Sequence, residues 1–167
     1  MNTKQLRLLM PKNAQDEAAA RELVALDPAE LAAVVPEMLR HLKHSDSPVT
    51  EMFCHFFAAH GERYILSVTE VLARSTLPEV KHVLLSRVLP SWSRDGLSEC
   101  AGALSMVATE PHVLNYDLLA IRLLVRHRLG DQEWLRKWLE FKLARIAERA
   151  QLAQEVATEF QGMSIDI

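Results

Sequence analysis

The stretch "SDSPVTEMF", Ser45–Phe53, decides the reading of the fold, because it sets a small polar residue directly before a proline and then lets an apolar run begin. Proline at the first helical position has no N–H to leave unsatisfied and its φ is preset for helix, while a preceding Ser, Thr or Asp caps a free donor. Ser47-Pro48 therefore opens a helix, "PVTEMFCHFFAAH", which Gly61 is expected to stop by taking the left-handed C-terminal cap. The same grammar recurs outward from this point. Asp27-Pro28, with Glu30 in the first turn, opens "PAELAAVVPEMLRHL", and "RYILSVTEVLA" follows Gly61 and runs out near Ser75. Pro78 opens "PEVKHVLLSRVL", which Pro90 ends, and "DGLSECAGALSMVA" comes next. Pro111 opens "PHVLNYDLLAIRLLVRHRL", stopped by Gly130, and Asp131 caps a last helix that begins "QEWLRKWLEFKLARIA".

The intervals from Pro48 to Pro78 and from Pro78 to Pro111 each hold one helical hairpin, the length that helix-turn-helix repeats use. A hairpin this small cannot bury its apolar face alone, so the spacing predicts a short right-handed α-solenoid of about eight helices. The alternative is an irregular bundle whose helices begin with proline. Leu114, Leu118, Leu119, Ile121, Leu123, Leu124 and Val125 make one helix apolar on most of its circumference, so it needs cover on several sides. With 167 residues, 49% of them hydrophobic and 25% charged, the chain suits one soluble domain, expected over 1–161 with a short tail at 162–167.

A formal net charge of -3 argues against nucleic acid as the main partner, since phosphate neutralisation needs many Lys and Arg. The charge is unevenly spread. Asp16, Glu17, Glu22, Asp27, Glu30 and Glu37 against Arg21 read as an acidic N-terminal hairpin, and Arg122, Arg126, Arg128, Arg136, Lys137, Lys142 and Arg145 outnumber Asp131, Glu133 and Glu140 farther on. Two solvated faces explain that asymmetry; so does an acidic surface made to meet a basic protein partner. Cys54 and Cys100 sit in apolar helical contexts and read as buried thiols rather than a disulfide or metal pair. The N-terminus lacks a signal-peptide core and no run approaches the roughly 20 apolar residues of a membrane span, so a cytoplasmic protein with no membrane partner is expected.

No catalytic signature stands out. The nucleophile elbow, the phosphate loop and the dinucleotide fingerprint all need glycines at fixed offsets that this chain lacks, and Glu51, Glu70, Asp95 and Glu99 fall on separate stretches. A non-enzyme without cofactor or metal is the expectation. His41 and His44, with His55, His60 and Asp46, could be imagined as metal ligands, but "HLKH" at a helix end also complements the helix dipole. Trp134 and Trp138, beside Arg136 and Lys137, suit either base stacking or the docking face of the last helix flanked by Leu135 and Leu139. Trp92, in "LPSWSRDG", reads as a surface interface anchor or as a lid folded back on its hairpin.

In the last helix Leu139, Leu143, Ile146, Ala150, Ala153, Ala157 and Phe160 alternate steps of four and three, the seam of a coiled coil. Either the helix lies back as a cap, or its Ala-rich end pairs with a second copy or a partner. Ala150, Ala153, Ala157 and Phe160 are then the self-association residues.

Leu9, Pro11, Lys12 and Asp16, then Pro36, Met38 and Leu39, then Pro48 and Val49 match the marks of a bacterial family of small HEAT-like helical domains of unknown function. The run resembles that family's Leu-Pro-Lys-x-x-x-Asp start, its helix with an inner proline and its Pro-Val helix start, over about the first two-thirds of the chain. It departs at Ser47, where the family carries a Trp. The resemblance implies an all-α, short HEAT-like right-handed α-solenoid of stacked hairpins with a long C-terminal helix, and it suggests an immunity protein that binds and neutralises a cognate toxin, such as a nuclease effector. Trp92, Asp95, Glu99, Asp46, Glu51, Asp16 and Glu17 are the expected partner contacts. A nucleic-acid-binding protein similar to HEAT-like DNA glycosylases, working through Arg126 and Arg128, and a dimeric structural adaptor are the alternatives.

Overall fold

A computed structural model describes residues 1–110 and 114–162. Among these residues every regular element is helical: α1 (Thr3–Leu8), α2 (Glu17–Val24), α3 (Val35–His41), α4 (Pro48–His60), α5 (Ile65–Arg74), α6 (Pro78–Val83), α7 (Arg94–Glu99), α8 (Ala101–Thr109), α9 (Tyr116–Arg126) and α10 (Gln132–Gly162). The chain divides into two compact units, Met1–Gly130 and Asp131–Ile167. Pro111 as a helix start, the Phe160 side chain and the tail beyond Gly162 lie outside the described residues.

In the first unit α1, α2, α4, α7 and the 3-10 segment at Pro28 start at side chains that satisfy free N–H groups of a first turn. Asn2 and Gln5 cap α1 reciprocally, Gln5 N–H to Asn2 Oδ1 at 2.9 Å and Asn2 N–H to Gln5 Oε1 at 3.0 Å. Asp16 accepts from Ala19 N–H at 3.4 Å, Asp27 from Ala29 at 2.8 Å, Ser47 from Thr50 at 3.1 Å and Ser93 from Gly96 at 3.1 Å. Where the expected helices break, the cause is equally local. Asp27-Pro28 opens only a 3-10 segment, Pro28–Ala33, and the α-helix starts afresh at Val35, because Pro36 has no N–H to give the Ala32 carbonyl. The helix opened by Pro78 passes into a π turn at Leu84–Val88, where Leu89 N–H reaches back to Leu84, and into a 3-10 turn at Leu89–Ser91. Pro90 leaves Ser86 O without its usual donor, and the wider turn ahead of a proline absorbs the mismatch. "DGLSECAGALSMVA" is two helices divided at Cys100, and α9 begins at Tyr116 after Asn115 in the left-handed region (φ 56°). α9 stops earlier than expected, at Arg126: His127 is its C-cap and Arg128 takes the left-handed conformation (φ 54°), so Gly130, left-handed at φ 69°, lies beyond the stop rather than making it.

Gly61 does not take the left-handed stop expected of it. Its φ is −65°, and α4 runs on into a 3-10 turn, Gly61–Tyr64. The glycine is required by a neighbour instead: a Cβ there would fall 2.6 Å from Trp92 Cζ2. Trp92 is 4% exposed, and its indole Nε1 donates to the Phe57 carbonyl at 2.9 Å, an oxygen that also accepts Gly61 N–H. Below it Phe53 and Phe57 are fully buried, with Phe56 edge-on to Phe57 and Tyr64 donating to the Pro28 carbonyl.

These contacts set two rows of neighbours. α4 meets α2 on one side and the 84–88 turn on the other, and that turn meets α9; α5 meets α3 and α8, and α8 packs along α9. Lys81, 4% exposed, crosses from α6 to Glu110 with Nζ at 2.7 and 2.8 Å from its two oxygens, and Tyr116 OH donates to the same carboxylate at 2.8 Å. A buried cation is thereby matched and hydrogen-bonded, as its desolvation requires.

The second unit is α10, 31 residues and about 46 Å long. Asp131 Oδ1 caps it by accepting from Glu133 N–H at 2.9 Å and Trp134 N–H at 3.1 Å. Glu133–Lys137 and Arg145–Glu148 pair along its surface at 2.9 and 3.3 Å.

Trp92→Ala is expected to destabilise the fold by about 3–5 kcal/mol through the cavity it leaves. Trp92→Phe should cost about 1–2 kcal/mol, since the Phe57 carbonyl keeps one donor, and Gly61→Ala about 1–3 kcal/mol by overpacking. Urea unfolding followed by circular dichroism measures all three; an unchanged midpoint for Gly61→Ala would contradict the close indole contact.

Candidate functional site

The residues singled out as partner contacts do not assemble into one patch. Trp92 is removed from the surface altogether: its indole fills the space over Gly61, so it is a buried strut and not an exposed anchor. Asp16 is an N-cap whose second oxygen accepts from Lys12 N–H at 3.1 Å, Glu17 lies 3.8 Å from Arg21, and Glu51 pairs with Arg87. Asp46, Asp95 and Glu99 are exposed; Asp95 and Glu99 share α7 while Asp46 sits in the α3–α4 connection. The acidic look of the N-terminal hairpin has a structural origin. Asp16 and Asp27 are caps, Glu30 binds the amino terminus at 3.1 Å, and Glu37 pairs with Arg7 at 3.0 Å.

The histidines are dispersed as well. His55 lies 3.5 Å from Glu51, and His60 packs on Phe56 with ring centres 5.4 Å apart. His41 stands edge-on to Phe53 at 5.8 Å, and burial, followed by the charges of His44 and Lys43, lowers its pKa below the usual histidine value. Among the described residues no three His, Cys, Asp or Glu side chains converge to hold a metal ion. Nor, among them, is any helix long and apolar enough to cross a membrane. Both thiols are buried, with Cys100 Sγ 3.4 Å from Thr69 Oγ1; burial raises both, Cys54 to about 11.

Two surfaces remain that can act on another molecule. One is the length of α10. Trp134, expected in a docked core, is 37% exposed and stacks on Trp138 at 6.1 Å, which stacks on Phe141 at 5.1 Å. Along the seam Leu143 is 54% and Ile146 48% exposed, and Ala150, Ala153 and Ala157 are exposed behind them. Phe141, Leu152 and Val156 are exposed as well.

The other surface was missed in the sequence. A cleft of about 380 Å³ opens between the α1–α2 connection and the end of α3, lined by Lys12, Arg40, His41, Lys43 and His44 with Glu37. Its signal was present: Lys12, Arg40 and Lys43 flank two segments, and of the acids that outnumber them Asp16 and Asp27 are caps while Glu30 and Glu37 are held in ion pairs.

Comparison with family models, with curated proteins and with solved structures finds no match.

The burial of both sulfurs makes a chemical expectation. With a pKa of about 11, Cys54 is thiolate to about one part in a thousand at pH 8. A disulfide reagent such as Ellman's should therefore label native protein only at the rate of its unfolding and label both cysteines once urea is added. Fast labelling of folded protein would show that one sulfur reaches solvent.

Proposed function

We propose that the protein is a non-enzymatic protein-binding module in which a HEAT-like stack of helical hairpins carries a long C-terminal helix, and that α10 pairs with the α10 of a second copy. The two rows of neighbours, α4 with the 84–88 turn and α9, and α3 with α5 and α8, support the stacked-hairpin reading. The function rests on the solvent-exposed seam of α10, where Leu143 and Ile146 are each about half exposed.

The charge order of α10 selects the occupant. Residues 132–149 carry five Lys and Arg against three Glu, whereas 150–162 carry two Glu and neither Lys nor Arg. A helix stabilises itself with cations near its C-terminal end, yet the last turn here has none. The arrangement therefore does little for α10 alone. It suits an antiparallel copy, whose basic half then lies along the acidic half of the first, and the alanines permit close approach.

The finer reading, a cytoplasmic immunity protein directed at a toxin, is supported by the family resemblance alone. Asp95 and Glu99 on α7 and the exposed Asp46 are the acids free to serve it.

Light scattering on a size-exclusion column should find a dimer whose population rises with protein concentration. Leu143→Asp with Ile146→Asp, or truncation after Arg149, should return the monomer with helical circular dichroism retained for residues 1–130, and added salt should weaken pairing by screening the end-to-end charges. A monomer at every concentration would rule out self-association.

A further inference from the structure

The cleft between the α1–α2 connection and the end of α3 holds more positive charge than the fold uses. Lys12, Arg40 and Lys43 are exposed, and among the described residues none of the three has a carboxylate partner. Glu37, the carboxylate in the lining, is bound by Arg7 at 3.0 Å, and Asp16 spends its oxygens on the backbone N–H groups of Ala19 and Lys12. Cations at the end of a helix have an ordinary explanation, that they complement its dipole. That end is equivalent to only about half a negative charge and its influence fades within a turn. Half a charge cannot occupy three cations.

The pKa of His41 is lowered first by burial and then by the charges of His44 and Lys43, with Glu37 opposing. His41 also lines the cleft, its ring nitrogens able to hydrogen-bond beside the three charges.

We propose that this cleft binds a small ligand through a diphosphate group, held by Arg40, Lys12 and Lys43. A guanidinium presents paired N–H donors that fit two oxygens of one phosphate, and two ammonium groups supply compact charges for the next. A volume of about 380 Å³ accepts a diphosphate with part of whatever carries it. A long nucleic-acid strand fits less well. The next cleft along the same unit, about 310 Å³, is lined by Asp46 and Glu79 with Arg87, and Arg87 is engaged by Glu51 and by the Ser45 carbonyl at 3.0 Å. A polyanion leaving the first cleft past His44 would run into uncompensated carboxylates. The site uses no residue of α10, so it stands or falls separately from pairing.

Titration calorimetry of the full chain with pyrophosphate at low salt tests the assignment. Saturable one-to-one binding is expected, weakened about tenfold or more by Arg40→Ala and again by Lys43→Ala, as loss of a charge-assisted hydrogen bond requires. Arg126→Ala, a change of the same charge elsewhere on the unit, should leave it unaltered. Tighter binding of ADP than of pyrophosphate would identify a nucleotide as the source of the diphosphate, and equal binding a free one. Absence of saturable heat, retention of affinity in the Arg40→Ala, Lys43→Ala double variant, equal affinity for phosphate and pyrophosphate, or tighter binding of a single-stranded oligonucleotide would each overturn the proposal. The exposed positions of Arg40 and Lys43 make the variants safe for folding, and circular dichroism checks that they are.

Discussion

The contact on which the first unit depends is that of the Trp92 indole with the end of α4. One nitrogen donates to the Phe57 carbonyl at 2.9 Å, and the ring lies so close to Gly61 that no side chain fits between them. Trp92 follows the turn made necessary by Pro90, so a local feature of one helix end is tied to the end of another helix some 30 residues earlier. The link continues outward. Glu62, next to Gly61, accepts from Ser93 Oγ at 3.0 Å and from Ser93 N–H, and Ser93 in turn caps α7 through Gly96. A Cβ at Gly96 would lie 2.8 Å from Glu62 Cδ and would push that side chain from its place on Ser93. Gly61, Trp92 and Glu62 thus tie the end of α4 to the start of α7, while large apolar side chains such as Phe53 and Phe57 supply the burial.

A count of charges along the N-terminal segment does not show which of them are already engaged. Small acids at helix starts lower the net charge of a segment on paper, but an aspartate that accepts two backbone N–H groups is part of the fold's hydrogen bonding, and a glutamate paired with an arginine projects little field. Once Asp16, Asp27, Glu30 and Glu37 are set aside, the N-terminal segment presents Lys12, Arg40 and Lys43 to solvent. The cleft lining carries three cations against Glu37 although the sequence around it counts more acids.

What was legible in the sequence is what short-range chemistry decides. The all-helical class, the starts at Ser47-Pro48 and Pro78, the cap at Asp131 and the extent of α10 all depend on residues within a turn of the feature itself. The readings that failed needed a distant partner. Gly61 looked like a left-handed stop because nothing nearby reveals an indole from residue 92, and for the same reason the sequence left Trp92 open between a surface anchor and a lid folded back on its hairpin. The breaks at Val34 and the π turn were in principle readable from Pro36 and Pro90. At Cys100, where α7 gives way to α8, no proline or cap announces the break, and we have no local physical account of it. For the candidate surfaces, the α10 seam was visible as a periodicity, whereas the cleft required knowing which carboxylates were already bound.

The seam also carries a magnitude that bears on how it works. Covering a half-exposed Leu143 or Ile146 is worth roughly 1 kcal/mol, and each alanine less, so two copies together gain on the order of 5–10 kcal/mol before any cost. Bringing two chains together costs about 4–15 kcal/mol in lost freedom. The two ranges overlap, which makes the apolar seam marginal by itself and leaves orientation to the charges: parallel copies set Glu155 against Glu155 and Arg149 against Arg149, antiparallel copies set acid against base. A helix built for permanent assembly would carry leucine or isoleucine where this one carries Ala150, Ala153 and Ala157. Small residues at those positions give up burial for close approach, and a pairing so poised forms and dissolves with concentration and salt.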